Sequence, residues 1–117
     1  MTKENAIRIF EEKKMRSVWD SEVEKWYISI IDVIEVLTGN ERPRKYWDDL
    51  KRKLKNEGSE LSEKIGQMKM LSADGKMRMT DVADVEQLFR LIQSIPSPKA
   101  EPFKVWLAQV ARERRSA

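Results

Sequence analysis

RLIQSIPSPKAEPFKVWLAQV, running from Arg90 to Val110, holds the end of one apolar helix, a proline-punctuated elbow and a second apolar helix. Leu88, Phe89, Leu91, Ile92 and Ile95 recur at spacings of three and four, which predicts one helical stripe reaching Ile95. Pro96 stops that helix, because it lacks an N–H and disfavours helical geometry at the residue before it. Ser97-Pro98 has the form of an N-cap and first helical residue, and Glu101-Pro102 repeats the pairing a turn later. Phe103, Trp106, Leu107 and Val110 make the second stripe. Helices joined by so short an elbow should pack on each other or on a shared core. A structural helical hairpin is the plainest role for these apolar residues.

Upstream, Asp81 is expected to cap the first of these helices, which carries Val82, Val85, Leu88, Phe89 and Ile92. Before it, Gln67–Leu71 and Lys76–Thr80 read as strands joined by Ala73-Asp74-Gly75, and Asp-Gly between alternating runs signals a hairpin. Met68 and Met70 are expected to share a face with Met77 and Met79 as core or gap-filling residues, with Lys69 and Arg78 pointing the other way. Ser59 to Gly66 is polar and reads as a loop with room for a helical turn. Pro43 opens a helix through Asn56 whose apolar stripe is Tyr46, Trp47, Leu50 and Leu54, with Gly58 just past its end. Ser29 is a suitable N-cap for a preceding helix, with Asp32 in its first turn. Ile30, Val33, Ile34 and Leu37 line one face of that helix, and Gly39 ends it. Met15–Asp20 and Lys25–Ile28 read as a hairpin around Ser21–Glu24, which would make Trp19 and Trp26 cross-strand neighbours; both are read first as hydrophobic anchors. Ile7–Phe10 fits a short strand followed by a turn over Glu11–Lys14. A helix over Glu4–Glu12 fits the same periodicity.

The fold class is therefore α+β: short antiparallel hairpins packed against about four helices. A chain of 117 residues suits one domain, 1–117, with a modest core. It contains neither cysteine nor histidine. That excludes disulfides, zinc fingers, and catalysis by Ser-His-Asp or Cys-His groups. The start MTKENAIRIF has no apolar targeting core and no apolar run approaches a membrane span, so a soluble, cytoplasmic protein is expected. Asp74-Gly75-Lys76 superficially offers a carboxylate and a lysine, but metal-dependent hydrolysis needs at least two convergent carboxylates and an open metal position. A hairpin turn accounts for it better. No Gly-rich phosphate loop is present. No catalytic residue, metal or cofactor is assigned, and no enzyme is expected.

Charge is uneven. Residues 1–41 carry a net −3, residues 42–79 a net +5 and residues 80–117 a net +1. A basic middle third suggests a surface that faces a polyanion, although charge runs are more often plain solvated faces. Arg42, Arg44, Lys45, Lys51, Arg52, Lys53 and Lys55 lie on or beside one helix. The order helix (Ser29–Leu37), turn (Thr38–Arg42), helix (Pro43–Asn56), then hairpin suggests a winged-helix-like helix-turn-helix whose second helix enters a major groove. On this reading Arg42, Arg44, Lys45, Lys51, Arg52 and Lys55 touch phosphates or base edges, and Lys69, Lys76 and Arg78 add backbone contacts from the hairpin. The competing reading is local: Arg44–Asp48, Lys45–Asp49, Asp48–Arg52 and Asp49–Lys53 are spaced four apart, and each such pair stabilises an exposed helix by roughly 0.2–0.5 kcal/mol without any ligand.

The quoted stretch resembles the signature near the end of the Bro-N domain, the N-terminal domain of prophage antirepressors and viral Bro proteins. EEKKMRSVWD, KWYISIIDVIEVLTG, YWDDLKRKLKNEGSEL and ADGKMRMTDV resemble the same family in the same order, so the likeness runs from Ile7 to Val110. It implies the non-catalytic, double-stranded-DNA-binding domain of a prophage antirepressor-like transcription regulator. The ending ARERRSA looks like a boundary within a longer parent protein. An antirepressor can also act by capturing a repressor protein without touching DNA. The acidic N-terminal third, with Trp19 or Trp106 as anchors, would then face that partner.

Overall fold

The computed structural model describes residues 3–113. It contains five strands, β1 (Lys3–Phe10), β2 (Lys13–Asp20), β3 (Lys25–Ser29), β4 (Gly66–Leu71) and β5 (Met77–Asp84), and four helices, α1 (Ile30–Thr38), α2 (Pro43–Asn56), α3 (Val85–Ile92) and α4 (Ala100–Arg112). The strands form one antiparallel sheet in the order β1-β2-β3-β5-β4. The α+β class is as expected, but the two hairpins are joined: β3 pairs with β5 through Tyr27–Asp84, Ile28–Ala83 and Ser29–Val82. The N-terminal segment is strand, which decides against a helix over 4–12.

Side chains alternate across a strand, and directly opposed residues share a face. Phe10, Met15, Ile28 and Ala83 lie in the main core with the helices' Val33, Ile34, Trp47, Leu88, Phe103 and Leu107. Val18, Val82 and Met70 make a second, smaller cluster flanked by Tyr27 and Met68. Register overturns the expected grouping of the methionines. Met68 opposes Thr80 and Met70 opposes Arg78, whereas Met77 opposes Leu71 and Met79 opposes Lys69. Met70 is buried, but Met77 and Met79 are 49% and 55% exposed, and Lys69 and Arg78 lie on opposite faces. The hairpin loop is five residues, Ser72 to Lys76, one longer than the expected strand limits leave, and that shifts the pairing.

The sheet curls. Arg16 of β2 donates from Nη1 to the Leu71 carbonyl of β4 at 3.0 Å, although β3 and β5 intervene in the sheet order. The same guanidinium grips Asp32 of α1 with two bonds, Nε to Oδ2 at 2.8 Å and Nη2 to Oδ1 at 2.9 Å. Such two-pronged carboxylate contacts fix orientation as well as distance. Ser29 Oγ accepts from the Asp32 N–H and caps α1, as its position predicted. Gly39 ends α1 at φ 66°, a left-handed conformation that a side chain would strain. Asn40 then accepts from the Arg42 N–H at 2.7 Å and sets the entry to α2.

Four local expectations shift. The turn between β1 and β2 is only Glu11-Glu12, both at positive φ, 51° and 70°. α3 is capped by Asp84, which accepts from the Gln87 N–H while Gln87 Oε1 accepts from the Asp84 N–H. Asp81 stays in the strand because its side chain is engaged elsewhere. The regular helix stops at Ile92, and Ser94 and Ile95 close tighter turns onto the Leu91 and Ile92 carbonyls. Beyond the elbow, Ser97 donates to the Leu37 carbonyl and accepts from the Lys99 N–H, so α4 begins only at Ala100. Pro102 lies in the first turn of α4, where its missing N–H costs nothing.

Asp81 ties α2 to the sheet. Its Oδ2 accepts from the Trp47 indole at 2.7 Å and the Lys51 ammonium at 3.1 Å, and its Oδ1 accepts from the Gln67 amide of β4 at 2.9 Å. Burial works to raise the carboxyl's pKa. The Trp47, Gln67 and Lys51 donors together outweigh it and hold the group below its ordinary value.

Asp81→Asn should therefore destabilise the fold by about 1.5–3 kcal/mol at neutral pH in urea titrations, the range for hydrogen bonds to a charged group. Because the folded pKa is depressed, this contribution is complete above the unfolded value of about 3.9 and is lost as pH falls through the lower folded value. The gap between the two proteins should narrow below about pH 4, and a gap that stays constant into acid would refute the assignment. Replacing Glu11-Glu12 with Asn-Gly, which suits a turn with two positive φ angles, should raise stability by about 1 kcal/mol. Thermal unfolding measures this directly, and an unchanged or lower midpoint would count against strain at that turn.

Candidate nucleic-acid interface

α2 is amphipathic in a simple way. Trp47, Leu50 and Leu54 face the core, with Tyr46 half-buried beside them, and the cations project outward. Its N-terminus has Pro43 at the first position and no side-chain cap, and Lys53 and Lys55 stand in the last turn, where the helix dipole favours positive charge.

The nine residues expected to face a polyanion do not form one uniform patch. Lys45 and Arg52 both pair with Asp49, at 3.1 and 3.2 Å, and these two donors, Lys45 first, hold the exposed Asp49 carboxyl below its ordinary range. Of the four ion pairs expected at a spacing of four, Lys45–Asp49 forms, and Arg52 turns to Asp49 at a spacing of three. Lys51 is held by Asp81 and lies 5.6 Å from the centre of the Trp47 ring, a cation–π distance. Arg78 pairs with Asp74 in the hairpin turn. Arg42, Arg44, Lys55, Lys69 and Lys76 are exposed and form no ion pair among the described residues.

Helical spacing sorts the α2 cations. Arg44, Lys51 and Lys55 are seven and four residues apart and share the flank turned toward Asp81 and the base of the β4–β5 hairpin. Lys45 and Arg52 project from the side opposite the buried stripe. On the hairpin, Lys69 lies on the face of Gln67, and so on the α2 side, whereas Arg78 alternates to the other face. Lys76 is in the turn outside the strand. The structure thus brings Lys69 to the same side as the Arg44–Lys51–Lys55 flank and separates Arg78 from it.

Two open grooves run along α2. One, about 680 Å³, is lined by Ile31, Arg42, Arg44, Lys45 and Arg52 together with Glu41, Asp48 and Asp49. The other, about 500 Å³, lies between α2 and the 3-10 turn Glu60–Glu63 and is lined by Lys51, Arg52 and Lys55 with Asp48 and Glu63. Carboxylates interleave with the cations in both, so the surface is basic on balance and not uniformly so. Asp81, expected as a helix cap, instead fixes Lys51 and Trp47. Nothing local in the sequence pairs residue 81 with residues 47 and 51.

No described helix is long and apolar enough to cross a membrane. Among the described residues no group of three or more carboxylates converges as a metal site would require. Trp19 and Trp26 are opposed across β2 and β3 with ring centres 5.3 Å apart, as their positions suggested. Trp106 is half-buried and packs edge-on against Phe10 at 5.9 Å and beside Phe103 at 5.2 Å, which makes it a border residue of the core. No curated protein and no solved structure matches the chain. The model of the BRO family N-terminal domain matches residues 14–113, nearly all of the chain, a span that carries α1, α2, the helical elbow and every strand but β1. The chain belongs to the BRO family and comprises its N-terminal domain, Bro-N.

Proposed function

We propose that this Bro-N domain binds double-stranded DNA through the outward side of α2, with the β4–β5 hairpin alongside, as the DNA-contacting part of an antirepressor-like transcription regulator of prophage type. One observation carries the reading: a 14-residue helix whose inner stripe is anchored by Trp47, Leu50 and Leu54 presents Arg44, Lys45, Arg52 and Lys55 to solvent. A rigid helix of this length fits a major groove, and arginine and lysine are the side chains suited to phosphate and to guanine edges. The order α1, four-residue turn, α2 supports a helix-turn-helix-like presentation. The hairpin would act as a fixed neighbour and not as a free wing, because β5 is paired to β3.

In this reading Lys51 positions the helix, Arg44 and Lys55 follow one phosphate strand with Lys69, and Lys45 and Arg52 exchange Asp49 for phosphate on docking. That exchange makes affinity cost one broken surface pair network, worth little in water. Arg42 and Lys76 would add peripheral phosphate contacts, and Arg78 would do so only on release from Asp74.

Fluorescence anisotropy with labelled duplex at several salt concentrations tests this. Log affinity should fall linearly with log salt, by about 0.9 per phosphate contacted. Reversing charge at Arg44, Lys45, Arg52 and Lys55, while keeping Lys51, should lower affinity by about tenfold or more and flatten the salt slope. Circular dichroism should show the fold retained. Unchanged affinity in that folded variant would eliminate α2 as the contact surface.

A further inference from the structure

A cleft of about 320 Å³ opens where the β2–β3 hairpin meets the start of α3 and the end of α4. It shares no residue with α2 or β4. Trp19, Trp26 and Phe89 supply its aromatic walls, and Glu24, Glu86 and Glu113 stand among its lining. We infer that this cleft is a binding site for an arginine side chain presented by a partner protein.

Aromatic faces attract cations through the ring quadrupole, and carboxylates beside them supply the opposite charge. The protein already shows this chemistry at one wall of the cleft. The Arg8 guanidinium stacks 4.0 Å from the centre of the Trp26 ring and pairs with Glu113. Its Nε is buried without a hydrogen-bond partner, so ring and carboxylate are what hold it there. Lys25, the cleft's own cation, is matched by Asp84 at 3.3 Å. Glu24 and Glu86 have no ion-pair partner among the described residues, which leaves the opening negative once the internal pairs are counted. An apolar occupant would leave those two carboxylates unmatched in charge, and an anion would be repelled. A planar guanidinium meets all three demands: a flat face for the rings, paired N–H donors for carboxylate, and weak hydration. Lysine offers a point charge with no face to stack. The site is independent of the DNA reading, because its residues and its charge sign both differ.

Indole N–H resonances of the four tryptophans give the test. A short peptide with one central arginine between glycine and serine should shift the Trp19 and Trp26 signals saturably and leave Trp47 unmoved. The same peptide with citrulline, which keeps shape but lacks charge, should shift none, and the lysine peptide should bind more weakly than arginine. Glu24→Gln with Glu86→Gln, both at exposed positions, should weaken the arginine peptide by about threefold to tenfold, the scale of lost partly exposed charge contacts. Equal shifts from citrulline, or unchanged affinity in the double variant, would overturn the proposal. So would Trp19 and Trp26 signals that move with protein concentration alone, since the occupant would then be a second copy of this chain.

Discussion

A single carboxylate fixes where the basic helix stands. Asp81 receives an indole, an ammonium and a side-chain amide from two elements, α2 and β4, while its own backbone belongs to β5. A half-buried carboxylate is tolerable only when its oxygens are satisfied, and here three donors converge on two atoms. Loss of any one donor leaves the others in place, but loss of the acceptor strands all three. The orientation of α2, and hence the direction in which its cations project, follows from this clasp together with the packing of Trp47, which is 2% exposed.

Arg16 performs the equivalent task on the other side of the sheet. By holding Asp32 in two-pronged fashion and the Leu71 carbonyl at once, it binds α1 to β2 and draws β4 across the sheet's curl. That curl encloses the Val18, Met70 and Val82 cluster, so the sheet buries apolar residues on both faces without a second layer of helices. The hairpin that completes the curl is therefore an integral part of the fold. A wing free to track a groove would give up both the β3–β5 ladder and the Arg16 contact.

The surface divides by charge. The α2 side is cationic with interleaved carboxylates, and the cleft at the far end of β2–β3 is aromatic with acidic residues around it. The two surfaces are of opposite sign and share no lining residue. The exposed ion pairs on α2 add little to stability in water.

Much of the local structure was legible in the residues. Ser29 and Gly39 bracket α1, Pro43 opens α2, and Asp-Gly marks the last hairpin, because caps and turns depend on atoms only a few positions away. Apolar periodicity likewise located the core faces of α2, α3 and α4. What failed was non-local. The register of β4 against β5 set which methionines face solvent, and no spacing rule measures a loop's effect on pairing. An aspartate before an apolar run is usually a cap, which favours Asp81 in the sequence; Asp84 takes the role because its partner Gln87 lies at the right offset, while Asp81 is engaged by Trp47 and Lys51, 34 and 30 residues away. The sequence by itself determined the elements beyond the N-terminal segment, their order and the excess of positive charge on α2. Only the tertiary structure decided which cations share a side and which carboxylates already hold them, since those are facts of distance between chain segments.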